Sequence, residues 1–128
     1  MNYLIDSNAL LFAASEPERL SARALSAITD ESSTRFLSDA SCWEIAIKFG
    51  IGKLQLKAPL SEFISIQSIR MKLEPLAITR AHIFRVASLP HVHGDPFDRL
   101  LAAQSLVEGF TIISVDAVFD AYGVDRIW

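Results

Sequence analysis

The sequence predicts an α/β chain: a three-layer α/β/α sandwich around a short, mostly parallel sheet. Two observations carry this expectation. Tyr3-Leu4-Ile5 is an unbroken apolar run, and Phe110 to Val115 is rich in β-branched and aromatic residues; such runs belong to strands covered on both faces. Strand-like runs also alternate with segments of helical spacing, as parallel βα units require.

In chain order, Tyr3-Leu4-Ile5 is a central strand that ends at Asp6. Ala9 to Ala14 gives a first helix, and Ala22, Leu25 and Ile28 space a second after the polar break from Ser15 to Arg19. Arg35 to Ser38 is the second strand. A third helix runs from Asp39 or Ala40 to Phe49, with Ala40, Trp43 and Ile47 as its apolar line and Gly50 to end it. Residues 59–89 hold two helical patterns, Leu60, Phe63 and Ile64, then Ala81, Phe84 and Leu89; between them Leu76-Ala77-Ile78 reads as a short strand and Thr79 as a cap.

Residues 89–94 form a loop in which His91 and His93 read as solvated, with the alternative that His93 fixes the loop before the next helix through side-chain hydrogen bonds. Asp95-Pro96 opens the next helix, because an accepting side chain suits the cap and a residue without an N–H suits the first turn. That helix extends to Glu108 and closes at Gly109. The strand at 110–115 ends at Asp116, and a short helix near Tyr122 and a strand at Arg126-Ile127-Trp128 complete one domain over 1–128.

The 128 residues suit one compact domain. The formal charge of −3 argues against binding a polyanion through bulk positive charge. A single cysteine, Cys42, excludes an internal disulfide framework. The first residues lack the pattern of a signal peptide and no run is long enough to span a bilayer, so the expected location is the cytoplasm.

The chemistry concentrates in acids. Parallel strands place Asp6 and Asp116 at the carboxyl edge of the sheet, where such folds bind ligands. Glu44 lies about one turn into its helix and Asp98 in the first turn of its own, so both start near the same edge. Each has a plainer role open to it: a turn or cap for Asp6 and Asp116, a pair with Lys48 for Glu44, and a capping box with Asp95 for Asp98. Their convergence favours function. Two carboxylates about 5 Å apart repel by roughly 3 kcal/mol at an effective dielectric of 20, so either protons or a divalent cation must share the space. All-oxygen ligands favour Mg²⁺ or Mn²⁺, and no thiolate–imidazole zinc spacing is present.

Several motifs together resemble the PIN-domain ribonucleases, and within them the VapC-type toxins of toxin–antitoxin pairs. They are Tyr3 to Leu11, Ser41 to Lys48 with Gly52-Lys53-Leu54, Leu89 to Gln104 including Asp95-Pro96-Phe97-Asp98-Arg99, and Ile113 to Asp116. Where relatives of this group often carry Thr-His, the chain has Ser7-Asn8. The resemblance implies a PIN fold in which Asp6, Glu44, Asp98 and Asp116 are the catalytic acids holding Mg²⁺ or Mn²⁺. It implies that Ser7, Asn8 and Ser114 support them, and that Lys48, Lys53 and Arg99 are candidate RNA contacts. It further implies cleavage of cellular RNA, a homodimer and a cognate antitoxin. Two rival readings of the residues are an inactive PIN-like binding module and a phosphotransfer enzyme using Asp6 as nucleophile.

Overall fold

A strand covered on both faces must be apolar at consecutive positions, and Tyr3, Leu4 and Ile5 are all buried. The computed structural model describes residues 1–128 and makes this run the centre of one parallel sheet. Its strands are β1 (Asn2–Ile5), β2 (Thr34–Ser38), β3 (Leu73–Leu76), β4 (Thr111–Ile113) and β5 (Arg126–Ile127), in the order β3-β2-β1-β4-β5. The helices are α1 (Ser7–Ser15), α2 (Ala22–Thr29), α3 (Asp39–Gly50), α4 (Leu60–Arg70), α5 (Arg80–Val86), α6 (Pro96–Glu108) and α7 (Val118–Ala121).

Alternation along the strands builds two cores. Tyr3, Ile5, Leu37 and Ile113 join Leu10 of α1 and Ala24, Ala27 and Ile28 of α2. Leu4 and Ile112 join Leu101, Ala102 and Ala103 of α6 together with Phe119 and Tyr122. The three-layer expectation is met. Strands β1, β2 and β3 step in one direction, and the chain then crosses back to lay β4 on the other side of β1. This reversal opens a crevice between the carboxyl ends of β1 and β4, the usual ligand position in such sheets. Register sets what lies there: Ile5 pairs with Ile113, so Asp6 and Ser114 come next, and the Asp6 N–H donates to the Ile113 carbonyl at 3.2 Å.

Some expectations need correction. The third strand lies at Leu73–Leu76 rather than 76–78, with Leu37 opposite Pro75. It is an edge strand, half exposed, where a proline costs no internal ladder bond; the more apolar Leu76-Ala77-Ile78 is therefore the weaker guide. Trp43 is not core. It is 58% exposed and meets Phe97 edge-on at 5.0 Å, while Ile47 is also exposed. Helix α3 instead buries Ala40, Ser41, Glu44 and Ile45, a line with the same helical spacing. Leu25 and Phe84 likewise face solvent, and α5 buries His82. That imidazole completes the Thr79 capping box and meets Glu108 at 2.8 Å.

Two polar devices secure the layers. The buried Arg35 guanidinium donates to the carbonyls of Met71 at 3.1 Å, Asp30 at 2.6 Å and Ala27 at 3.3 Å, satisfying the ends of α4 and α2. At the end of α6, Gly109 adopts φ 73°, and a Cβ there meets nothing within 4 Å. Gly109→Ala therefore pays only for left-handed backbone, about 1 kcal/mol. A thermal melt should show a loss of a few degrees; an unchanged melting temperature would show that the C-cap carries no such strain.

Candidate active site

Asp6 caps α1, its Oδ1 accepting the Ala9 N–H at 2.7 Å. Only 5% of the residue is exposed. Burial raises its pKa to about 6, opposed by hydrogen bonds from the Ser114 hydroxyl and the Ala9 N–H and reinforced by the charges of Asp98 and Glu44. Its place follows from the strand end and the cap together.

Glu44 reaches the same edge from α3 and is buried. It accepts the Ser7 hydroxyl and pairs with Lys48 Nζ at 3.5 Å. The expected Lys48 pair exists, but its burial sets Glu44 apart from a solvated helix acid. Asp98 comes from the first turn of α6. Asp95 caps that helix, accepting the N–H groups of Phe97 at 2.9 Å and Asp98 at 3.2 Å, which leaves the Asp98 carboxylate free for another partner. Oδ2 of Asp98 lies 3.2 Å from His93 Nε2. Burial raises the Asp98 pKa, the His93 hydrogen bond lowers it, and Asp95, Asp116 and Glu44 add repulsion.

Asp116 is the outlying member. It is exposed, and its Oδ1 accepts the Val118 N–H at 3.0 Å at the start of α7. Ser114 is fully buried and accepts the Asp116 N–H at 3.0 Å, so it ties the backbone of Asp116 to the end of β4. Asp6, Glu44 and Asp98 thus share one field, and Asp98 also feels Asp116. No three His, Cys, Asp or Glu side chains stand close enough to enclose an ion as they sit. None of the four surface cavities is lined by any of these acids.

Other expected site residues separate. Ser7 is buried against Glu44, whereas Asn8 is exposed and makes no side-chain hydrogen bond. Lys53 is exposed beyond α3. Arg99 donates to the carbonyls of Pro90 at 2.9 Å and Val86 at 3.3 Å, strapping the 86–90 segment to α6. His93 is not a solvated loop residue: it is half-buried and bridges Asp98 and the Tyr122 hydroxyl. Sequence reasoning does not place Tyr122 at the site.

A family model described as PIN domain matches residues 3–125. The chain belongs to the PIN-domain family. No curated protein matches it by sequence. Among solved structures it resembles VapBC2 from Rickettsia felis bound to a DNA fragment from their promoter, with TM-score 0.72 and 18% identity over 100% of this chain and 99% of that one. It also resembles VapBC-1 from nontypeable Haemophilus influenzae, with TM-score 0.71 and 11% identity over 99% and 97% of the two chains. DNA-bound VapBC from Salmonella typhimurium gives TM-score 0.67 and 14% identity over 99% and 97%. This PIN domain contains no helix long and apolar enough to cross a membrane.

Proposed function

We propose that this PIN domain is a divalent-metal-dependent endoribonuclease and the toxin of a toxin–antitoxin pair. The observation that carries the reading is the joint burial of Asp6 and Glu44 beside Asp98 at the β1/β4 crevice, with only Lys48 near Glu44 to offset their charge. A set of hard carboxylate oxygens that repel one another fits Mg²⁺ or Mn²⁺ by chemistry. The side chains must turn from their present partners to close on an ion.

Asp6, Glu44 and Asp98 would hold the ion, with Asp116 joining them. A divalent ion there supplies Lewis-acid and water-activating chemistry for phosphodiester hydrolysis. The chain's own groups perform the rest. Ser7 and Ser114 orient buried carboxylates, and the Ala9 N–H fixes Asp6 Oδ1. Asp116, exposed and with Oδ2 outside any protein hydrogen bond, is the acid best placed to take a proton from an incoming water. Lys48, beside Glu44, and Lys53 are the candidate backbone contacts, while Arg99 serves the 86–90 segment instead.

The antitoxin partner is supported by the VapBC neighbours; the homodimer rests on the family resemblance alone. The cytoplasm is the location that fits such a pair. A phosphotransfer role for Asp6 is poorly supported, because a phosphoryl acceptor must be reachable and Asp6 is buried with Oδ1 engaged in capping.

Incubation of the purified chain with a mixed RNA ladder tests the reading. Internal cleavage is expected with Mg²⁺ or Mn²⁺, and none in EDTA. Cleavage that persists in EDTA removes the metal from the proposal. Absence of cleavage under every metal condition, with no stabilisation by millimolar Mn²⁺ in a thermal melt, favours the inactive binding module.

A further inference from the structure

The half-buried His93 lies between a tyrosine and one of the acids, and its two ring nitrogens have different partners. Nδ1 meets the Tyr122 hydroxyl, and Nε2 lies 3.2 Å from Asp98 Oδ2. We infer that Tyr122 fixes His93 as an Nε2–H donor and that His93 is thereby the positioning residue for Asp98. The inference rests on the proposed metal-dependent function.

The assigned direction of each bond is consistent with the donors and acceptors present. A guanidinium can only donate, and Arg99 Nη1 approaches the Tyr122 oxygen at 3.4 Å with its guanidinium 5.7 Å from the ring centroid. The tyrosine oxygen accepts there and keeps its single proton to donate, and Nδ1 of His93 is the acceptor assigned to it. A neutral imidazole that accepts at Nδ1 carries its hydrogen on Nε2, which then donates to the carboxylate. The opposite tautomer would set a ring lone pair against a carboxylate oxygen. Asp98 Oδ2 is therefore occupied, and Oδ1, which makes no protein hydrogen bond, is the oxygen available to a cation. Imidazole–carboxylate pairs of this kind orient metal ligands, and their loss typically weakens metal binding by roughly 10- to 100-fold.

The supports come from separate elements. Tyr122 is buried in the core with Phe119, Arg99 sits on α6 and holds the Val86 and Pro90 carbonyls, and Asp95 fixes the start of α6 between His93 and Asp98. Nothing in this arrangement needs His93 for the core itself.

The test uses the full chain with two readouts besides activity. Nitrogen NMR of the His93 ring should show a hydrogen on Nε2, and Tyr122→Phe should lower the population of that form. Titration with Mn²⁺ alone should show affinity falling by about 10- to 100-fold in His93→Ala and largely restored in His93→Gln, whose amide N–H can stand in for Nε2–H. Circular dichroism confirms that each variant is folded. A wild-type ring with no hydrogen on Nε2 overturns the inference, as does a folded His93→Ala that binds Mn²⁺ like the wild type. If His93→Gln is as impaired as His93→Ala, a donor role is refuted. A wild-type chain that takes up no Mn²⁺ overturns the metal-dependent function itself, and with it the role of His93 in orienting a ligand.

Discussion

Asp98→Asn is expected to leave the fold intact while reducing metal-dependent RNA cleavage by at least a hundredfold, the scale of losing one fixed electrostatic group at a reaction centre. The separation of the two effects follows from how α6 begins. Its cap is Asp95, and Pro96 removes one N–H that would otherwise need a partner. The Asp98 side chain contributes nothing to that cap. Its Oδ2 accepts from His93, a bond that an asparagine oxygen also accepts. The variant therefore loses charge without losing shape. Cleavage of a quenched fluorescent RNA, measured with Mn²⁺ alongside a thermal melt, checks both halves. A folded variant that cuts at the wild-type rate would remove Asp98 from the site.

Asp6 and Asp98 are legible in the sequence because local chemistry announces them. One follows a doubly covered strand, and the other stands just inside an Asp-Pro helix start; parallel packing brings such positions to one edge. Glu44 is legible only through its place on the helix, and its burial is not. The expected line Ala40, Trp43, Ile47 and the observed line Ala40, Ser41, Glu44, Ile45 share the same helical spacing. Hydrophobicity favours the first, but the Ser7 hydroxyl from α1 satisfies Glu44 and lets the second face inward. That contact joins residues 37 apart in the chain and has no local sequence signal.

Strand β3 is displaced from its expected place for a related reason. Leu73 packs into one core and Leu76 against the other, on opposite faces of this edge strand, with Glu74 and Pro75 exposed; a search for unbroken apolar runs passes over them. Tyr122 escapes notice because its ring reads as core and is core. Only the fold shows that its hydroxyl ends beside His93.

Asp6→Asn is expected to make the metal-free protein more stable at pH 8 even as it removes activity. In the folded chain Asp6 holds its proton up to about pH 6, against 3.8 when unfolded, chiefly because burial penalises its charge. Well below the unfolded value both states are protonated and the acid costs nothing. As pH rises towards 6 the unfolded chain gives up this proton first, so the unfolded state gains and stability falls; above the folded pKa the loss is complete. The gap between the two values corresponds to about 3 kcal/mol. Asparagine removes the titration and keeps the cap, since its side-chain oxygen can accept the Ala9 N–H that Asp6 now holds at 2.7 Å. Urea unfolding in EDTA should then find the variant ahead by up to about 3 kcal/mol at pH 8, with the difference shrinking towards pH 4. Mn²⁺ should stabilise the wild type and not the variant, because only an ion that binds the folded state shifts the equilibrium. A variant less stable than the wild type at pH 8 would mean that Asp6 is stabilised as a charge by the fold alone, and the case for a cation at this edge would lose its electrostatic basis.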